Sequence, residues 1–480
     1  MEFGYKKLYI GGELVDAQGG ARRDVVCPAT EKSVASIAWA GKKDTMLAVE
    51  AARKGFSQWS AMSINERNTW IKKLRDAVIA DADLLQNAVM YEMGKTWESA
   101  AEDIESLINA LEWYPQEMLH RRDQIIPDPD GTHQHLLVSE PRGVVVGILA
   151  WNFPLLNLSF KLGPALAAGC SIILKPSKES PISAYILGEI CSRIGFPAGV
   201  VNLICGPAED TSIPLCNSTD VNVLTLIGSS ETGRKMIEQS SCSVKKLSME
   251  LGGNAPAVVL ADCNLETAAS TIAALKYGNC GQICVSPNRI FVENKVYDAF
   301  MKLFLDKVRQ IKAGFGPDSG ATMGPLVSKE ARNRVLEVIN DAVSQGARLT
   351  AGGHIPQGMD AGYFLEPTVL EGVLPGMKAY DEEMFGPVAS IVRFDSEEQL
   401  QGMVNIASAG LSSYLFTSDH AKIQFYTRYM EYGEVHVNGC KYAIYLPHGG
   451  VKESGIGHDC SHLALDDYLH TKRITIKIEK

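Results

Sequence analysis

From Gly143 onward the chain changes its period, and this change limits the possible folds more than any other feature. Val144-Val-Val-Gly-Ile-Leu-Ala150 is a continuous apolar run. Such a run suits a strand buried on both faces, as in a parallel sheet. A helical pattern follows over Phe160–Gly169, then strand Ser171-Ile-Ile-Leu174, then a helix from about Pro181 to Ile194. Strands Val200-Val-Asn-Leu-Ile204 and Val223-Leu-Thr-Leu-Ile227 continue the alternation. Strands separated by helices make right-handed crossovers and a parallel sheet, an α/β fold. Ligands of such sheets bind at the carboxyl ends of the strands. Trp151-Asn152, Lys175-Pro-Ser-Lys178, Gly206 and Gly228-Ser229 all fall there.

A second α/β series starts near Glu250-Leu-Gly-Gly. It contains strand Ala257-Val-Val-Leu260, a helix over Leu265–Tyr277, a turn at Gly281-Gln-Ile-Cys284 and strand Arg289-Ile-Phe-Val292. Helices near 296–312 and 329–345 and a strand near 388–394 extend it. Ahead of the first series lie helical patterns. Asp44 is expected to cap one, and Ser63-Ile-Asn-Glu66 is a capping box that opens another. Further patterns cover Asp83–Met93 and Thr96–His120, until Pro127, Pro129 and Gly131 break the chain. With 480 residues, more than one core is expected. Two outlying stretches, His133–Ser139 and the tail with Ile474, Ile476 and Ile478 on one face, alternate like strands that pair with each other and with another subunit. A homodimer or homotetramer is therefore expected. The domains read as 1–122 with 141–250, then 251–440, then oligomerisation strands at 123–140 and 456–480.

The net charge of −10 argues against nucleic acid as a partner, because a phosphate backbone requires a basic face. No apolar run is long enough for a membrane span. The eleven cysteines lack framework spacing, and no second pair joins Cys280 and Cys284 to complete a zinc set. Reduced thiols in a cytoplasmic protein are expected, with no metal cofactor.

Taken one at a time, the candidate residues are weak signals. A lone cysteine such as Cys284 is more often a small buried hydrophobe than a nucleophile. Asn152 could donate to a developing oxyanion, or could simply shape a turn. Glu250 could be a general base, or a paired surface glutamate. Gly228-Ser-Ser-Glu-Thr-Gly233 could offer backbone amides to a phosphate, although many strand-to-helix turns look like this.

Seven motifs nevertheless occur in order: Ala150-Trp-Asn-Phe-Pro154, Leu174-Lys-Pro-Ser177, Ile227-Gly-Ser229, Met249-Glu-Leu-Gly-Gly253, Gly281-Gln-Ile-Cys284, Glu383-Met-Phe-Gly-Pro387 and Gly449-Gly-Val-Lys-Glu-Ser-Gly455. Over nearly its whole length the chain resembles the NAD(P)-dependent aldehyde dehydrogenase superfamily, in particular the lactaldehyde and succinate-semialdehyde dehydrogenases. The resemblance implies a Rossmann-type cofactor domain, an α/β catalytic domain and a small β extension for oligomerisation. It implies that Cys284 is the nucleophile, Asn152 the oxyanion donor and Glu250 the base. It places Trp151, Lys175, Ser177, Lys178, Gly206, Gly228, Ser229, Leu251, Glu383 and Phe385 around NAD or NADP. Lys178 stands where NAD-preferring members usually carry glutamate, which brings NADP into play.

The same resemblance puts Phe153, Asn157, Phe160, Tyr445 and His448 around a small aldehyde. Arginines found in some semialdehyde enzymes are replaced here by Phe160 and Gly278. A short polar aldehyde is therefore expected, of lactaldehyde, glycolaldehyde or semialdehyde type. A CoA-acylating enzyme and a non-catalytic structural relative are the alternatives. The former generally lacks the base at Glu250, and the intact Cys284, Glu250 and Asn152 set speaks against the latter.

Overall fold

A computed structural model describes residues 1–479. Its centre is an eight-stranded sheet. The parallel middle runs Lys246–Glu250, Val223–Ile227, Val144–Ile148, Ser171–Lys175, Val201–Leu203. Gly455–Ile456 closes one edge antiparallel, and Leu8–Ile10 with Glu13–Val15 closes the other. The strand order reverses direction between Val144–Ile148 and Val223–Ile227. Chains leave such a switch point on opposite faces of the sheet and leave a crevice there. Trp151-Asn152 and Gly228-Ser229 both leave their strands at this crevice.

The second sheet has seven strands, ordered Arg348–Ala351, Thr368–Glu371, Val388–Phe394, Pro287–Glu293, Ala255–Val259, Ser412–Phe416, Glu434–Val437. All pairings are parallel except that of Arg348–Ala351. Each sheet has its own apolar core. One core runs from Phe3 to Leu251 and includes Ala464, Leu465 and Tyr468. The other runs from Ala255 to Tyr432. Residues 456–468, expected in the extension, thus supply the end of the Gly455–Ile456 strand and the helix Ser461–Tyr468 to the first body. The extension proper is a three-stranded antiparallel sheet of Gln124–Ile126, His133–Pro141 and Leu469–Lys477.

Two local expectations change. Asp44 does not cap its helix: Gly41 does, and Asp44, three residues in, accepts the Gly41 N–H at 2.8 Å. The helix expected over Phe160–Gly169 begins earlier, at Pro154. Proline fits a first helical position, where no N–H is needed. The start is also capped from outside, because Asp103 accepts the N–H groups of Leu155 and Leu156, each at 3.0 Å. Lys95 neutralises Asp103 at 2.6 Å, and both side chains are fully buried. This long-range cap fixes where Asn152 and Phe153 enter the cavity.

Candidate active site

A cavity of about 1360 Å³ lies between the two sheets, and Cys284, Glu250 and Asn152 line it. Each reaches it from a different element. Glu250 ends the Lys246–Glu250 strand. Asn152 follows the Val144–Ile148 strand. Cys284 lies just beyond a tight turn in which Asn279, Cys280 and Gly281 all have left-handed backbones, with φ of 46°, 57° and 71°. Gly281 tolerates no side chain, since a Cβ there would sit 2.1 Å from the Gly386 carbonyl oxygen. The turn is therefore packed directly on the Glu383–Pro387 motif. Gln282 ties it down further: its amide donates to Asn279 O at 3.0 Å and its Oε1 accepts from Val327 N at 2.9 Å. Behind the cysteine, the Tyr414 hydroxyl donates to the Val285 carbonyl at 2.7 Å.

Asn152 is held in the same way. Its amide donates to Gln282 O at 3.1 Å, which leaves its second N–H free. Asn279 donates to its carbonyl at 3.0 Å. Asn157 donates to Asn152 Oδ1 at 3.1 Å and to Ala150 O at 3.3 Å. Asn157 was expected to touch substrate. It lines the cavity, but it is buried and its amide N–H groups are given to Asn152 and Ala150, which holds the Asn152 side chain in place.

Cys284 is partly accessible. Burial pushes its thiol well above the usual range, Glu250 adds to that, and His448 opposes it. His448 is the unexpected centre of the site. Its Nδ1 lies 2.6 Å from Glu434 Oε1 and its Nε2 lies 3.5 Å from Glu250 Oε1. Burial pulls the imidazole down, but hydrogen bonding with Cys284, Glu250 and Glu434 outweighs this and holds it well above its ordinary value. Burial pushes Glu434 up, yet His436 and His448 bring it down to about 2. Backbone bonds to Asp459 in both directions, at 2.8 and 2.7 Å, fix the His448 segment, and Asp459 is paired with buried Lys161 at 2.5 Å. Glu434, Asn279 and Gln282 were not anticipated. Asn279 and Gln282 lie in or beside the Gly281 motif, whereas Glu434 carries no motif, and only the sheet pairing that brings Glu434–Val437 to the cavity edge reveals it.

The cofactor candidates separate into two groups. Ile227, Gly228, Ser229, Trp151, Glu383 and Phe385 line the same cavity as Cys284. Ser229 caps the following helix, accepting from Thr232 N at 3.2 Å, so the helix start faces the crevice. Glu383 accepts from Gly253 N at 3.0 Å, and a Cβ on Gly252 would sit 2.5 Å from its carboxylate. Burial, countered in part by the Gly253 N–H, lifts Glu383 to about 7. Phe385 meets the Trp151 ring edge-on at 5.4 Å. Lys175, Ser177 and Lys178 lie outside this cavity, along the end of their strand. Lys178 is exposed, with Glu179 at 3.5 Å. Gly206 is buried against Ala40, whose carbonyl oxygen would lie 2.1 Å from a Cβ there, so packing accounts for this glycine. Leu251 turns away: its side chain packs on Gly233 and its N–H donates to Ser454 O at 2.9 Å. A helix start facing a crevice, a half-buried carboxylate and an aromatic pair suit a dinucleotide, and the groups present fit one.

On the substrate side, Phe153, Leu156 and Phe160 form an apolar wall, and the Phe160 ring lies 6.2 Å from His448. Tyr445 does not join them. It is about half exposed, with the Lys441 ammonium 5.5 Å from its ring, while Tyr442, Ile444 and Leu446 line the cavity. The mouth carries Glu98, Glu102 and Glu105.

The chain matches the model of the aldehyde dehydrogenase family over residues 14–474. It is 37% identical over 467 residues to the mitochondrial succinate-semialdehyde dehydrogenase of Oryza sativa subsp. japonica, covering 97% of this chain and 88% of that one. It is 35% identical over 472 residues to succinate-semialdehyde dehydrogenase (NADP(+)) GabD of Escherichia coli strain K12, covering 98% of each. A crystal structure of succinate-semialdehyde dehydrogenase from Burkholderia pseudomallei superposes with a TM-score of 0.96 at 38% identity, covering 98% of each chain.

Proposed function

The chain belongs to the aldehyde dehydrogenase family, as an NAD(P)-dependent, non-acylating enzyme, and on that premise we propose that it oxidises a short polar aldehyde to its acid through Cys284. The observation that carries this reading is the meeting of three side chains at one cavity floor. The ligating atoms of Cys284, Glu250 and His448 all lie within 4.8 Å of one another, beside the free N–H of Asn152.

The chemistry follows from these groups. The Cys284 sulfur adds to the aldehyde carbon and forms a thiohemiacetal. The Asn152 amide, with the Cys284 backbone N–H, holds the oxygen that becomes negative. A dinucleotide held at Trp151, Ser229, Glu383 and Phe385 would supply the hydride acceptor that turns the thiohemiacetal on Cys284 into a thioester. Glu250 takes a proton from water, whose oxygen attacks the thioester, and the acid departs as the thiol re-forms. In the resting site the thiol is held protonated, so the proton must leave before attack. The Glu250 carboxylate is the group placed to take it, while the His448 imidazole, backed by Glu434, favours the thiolate.

The wall supports a small substrate with a polar group near its aldehyde carbon. Phe160 and Gly278 offer no charge, the mouth is acidic, and His448 is the polar group at the floor. Hydroxyaldehydes such as glycolaldehyde and lactaldehyde are therefore favoured over succinic semialdehyde. A kcat/KM survey of these three and a sulfonated analogue, with NAD and with NADP, tests this. A preference for the hydroxyaldehydes is expected. Succinic semialdehyde as the best substrate would refute the preference, and no turnover with any aldehyde would refute the oxidation.

Two coarser features complete the proposal. Exposed Ile125, Ile126, Ile474 and Ile476 on the extension sheet support a homodimer or homotetramer. All eleven cysteines are free, which suits a reducing compartment such as the cytoplasm. Among the described residues no helix is long and apolar enough to cross a membrane.

A further inference from the structure

We infer that Cys284, His448 and Glu250 also form a chelating site for a thiophilic divalent cation of the zinc class, and that such a cation reversibly blocks the enzyme. Inhibition rests on the catalytic reading of Cys284 above, whereas the binding does not.

The donors are a sulfur, an imidazole nitrogen and a carboxylate oxygen, all within 4.8 Å of one another, with His448 Nε2 and Glu250 Oε1 at 3.5 Å. Tetrahedral zinc, with bonds of about 2.0–2.3 Å, keeps its ligands roughly 3.3–3.8 Å apart. One pair already meets that spacing, and the sulfur needs to approach by at most about an ångström. The cavity leaves the fourth position open to water.

Two further observations point to a ligand. Glu250 Oε1 is buried and no donor reaches it in hydrogen-bond geometry; the imidazole Nε2 of His448 stands off at 3.5 Å. A buried carboxylate oxygen without a donor is costly, and a cation would satisfy it. The second is the support behind the imidazole. Glu434 lies 2.6 Å from Nδ1 of His448, and His436 Nε2 lies 3.4 Å from its other oxygen. With Nδ1 occupied in this way, Nε2 is aimed at Glu250 and Cys284. A carboxylate behind a histidine in this manner fixes the ring and strengthens it as a metal ligand. Without His448 the floor would offer only two donors.

The balance is simple. Bonds from the cation to Sγ, Nε2 and a Glu250 oxygen form, all but one of its waters leave, and the protons of the Cys284 thiol and of His448 Nε2 pass to buffer. Nothing is oxidised or reduced. The cation occupies the electron pair that must attack the aldehyde and the carboxylate that must activate water. The sulfur and nitrogen donors favour Zn²⁺, Cd²⁺ and Co²⁺ over Mg²⁺ and Ca²⁺.

The test uses the full chain, stripped with a chelator and free of cofactor, titrated with Co²⁺. One Co²⁺ per chain with a thiolate-to-cobalt charge-transfer band is expected. The band should vanish in Cys284→Ser. Affinity should fall at least about tenfold in His448→Gln and about 10- to 100-fold in Glu434→Gln, which keeps all three ligands. Zn²⁺, but not Mg²⁺, should slow iodoacetamide labelling of Cys284 in the wild type, and added chelator should restore it. Absence of the band overturns the proposal. So does a band that survives Cys284→Ser, which would place the metal on exposed Cys242 or Cys440, or one whose affinity is unchanged in both His448→Gln and Glu434→Gln. If the protein oxidises no aldehyde, the cobalt and labelling readouts still decide whether the site exists.

Discussion

The two ends of the cavity are built by opposite means. At the floor, Asn152 is gripped by Asn157, Asn279 and Gln282, and the Cys284 turn is locked between Gly386 and Tyr414. At the far end of the cofactor crevice, Lys178 is exposed, with Glu179 at 3.5 Å. Bond-making tolerates little misplacement, because about 1 Å can cost a hundredfold in rate. Holding a phosphate or a ribose tolerates far more, since a long flexible side chain can follow its partner. The floor is therefore overdetermined by hydrogen bonds, while the far end is left to solvated charge.

This contrast orders the expected effects of mutation. Cys284→Ala should lose on the order of 10⁴-fold or more in kcat, with cofactor affinity preserved, as read by quenching of tryptophan fluorescence. Measurable aldehyde oxidation near the wild-type rate would show that the floor does not act through this sulfur. Glu250→Gln should lower the steady-state rate by about 10²- to 10⁴-fold, yet still release a burst of reduced cofactor equal to the number of sites. Stopped-flow absorbance separates the two phases, and a missing burst would move Glu250 from deacylation to the attack itself.

Asn157→Leu removes a donor and keeps the volume. The floor reading predicts a loss of about 10- to 100-fold in kcat, with KM for the aldehyde nearly unchanged. A rise in KM alone would return Asn157 to the substrate wall. At the boundary between the two ends stands Glu383, which burial lifts to about 7. It can accept from ribose hydroxyls as a carboxylate but not once protonated. Affinity for NAD should therefore weaken as pH falls through about 7, by up to about tenfold between pH 8 and pH 6. In Glu383→Gln the dependence should flatten, and an unaltered slope would assign the titration elsewhere.

The same contrast explains what the sequence disclosed. The parallel strands were legible because a strand buried on both faces must be apolar throughout, as at Val144–Ile148. That Cys284, Glu250 and Asn152 meet at one floor was legible because each sits on a short motif at the end of a strand or on a tight turn. Glu434 was not, since its meeting with His448 depends on a strand pairing with Ser412–Phe416 that no local pattern announces. Asp44 was misplaced by three positions because a side chain that caps from inside the first turn leaves the same signature as one at the cap itself. Tyr445 was misplaced because nothing in a loop sequence says which of two nearby tyrosines, Tyr442 or Tyr445, turns inward.

The smallest effect is expected at the solvated end. Lys178→Glu reverses a charge near the position a 2′-phosphate would take. An exposed pair contributes about 0.2–1 kcal/mol, and reversal replaces attraction by repulsion. The ratio of kcat/KM for NADP to that for NAD should fall by about 3- to 10-fold. Because the charges are exposed, the shift should shrink as ionic strength rises past about 0.1 M, where the screening length is about 10 Å. That salt dependence distinguishes direct phosphate contact from a change in folding, which would lower both values together and respond weakly to salt. An unchanged ratio at low salt would mean that Lys178 points away with Glu179, and that NADP, where it binds, is held by Lys175 and the helix start at Ser229.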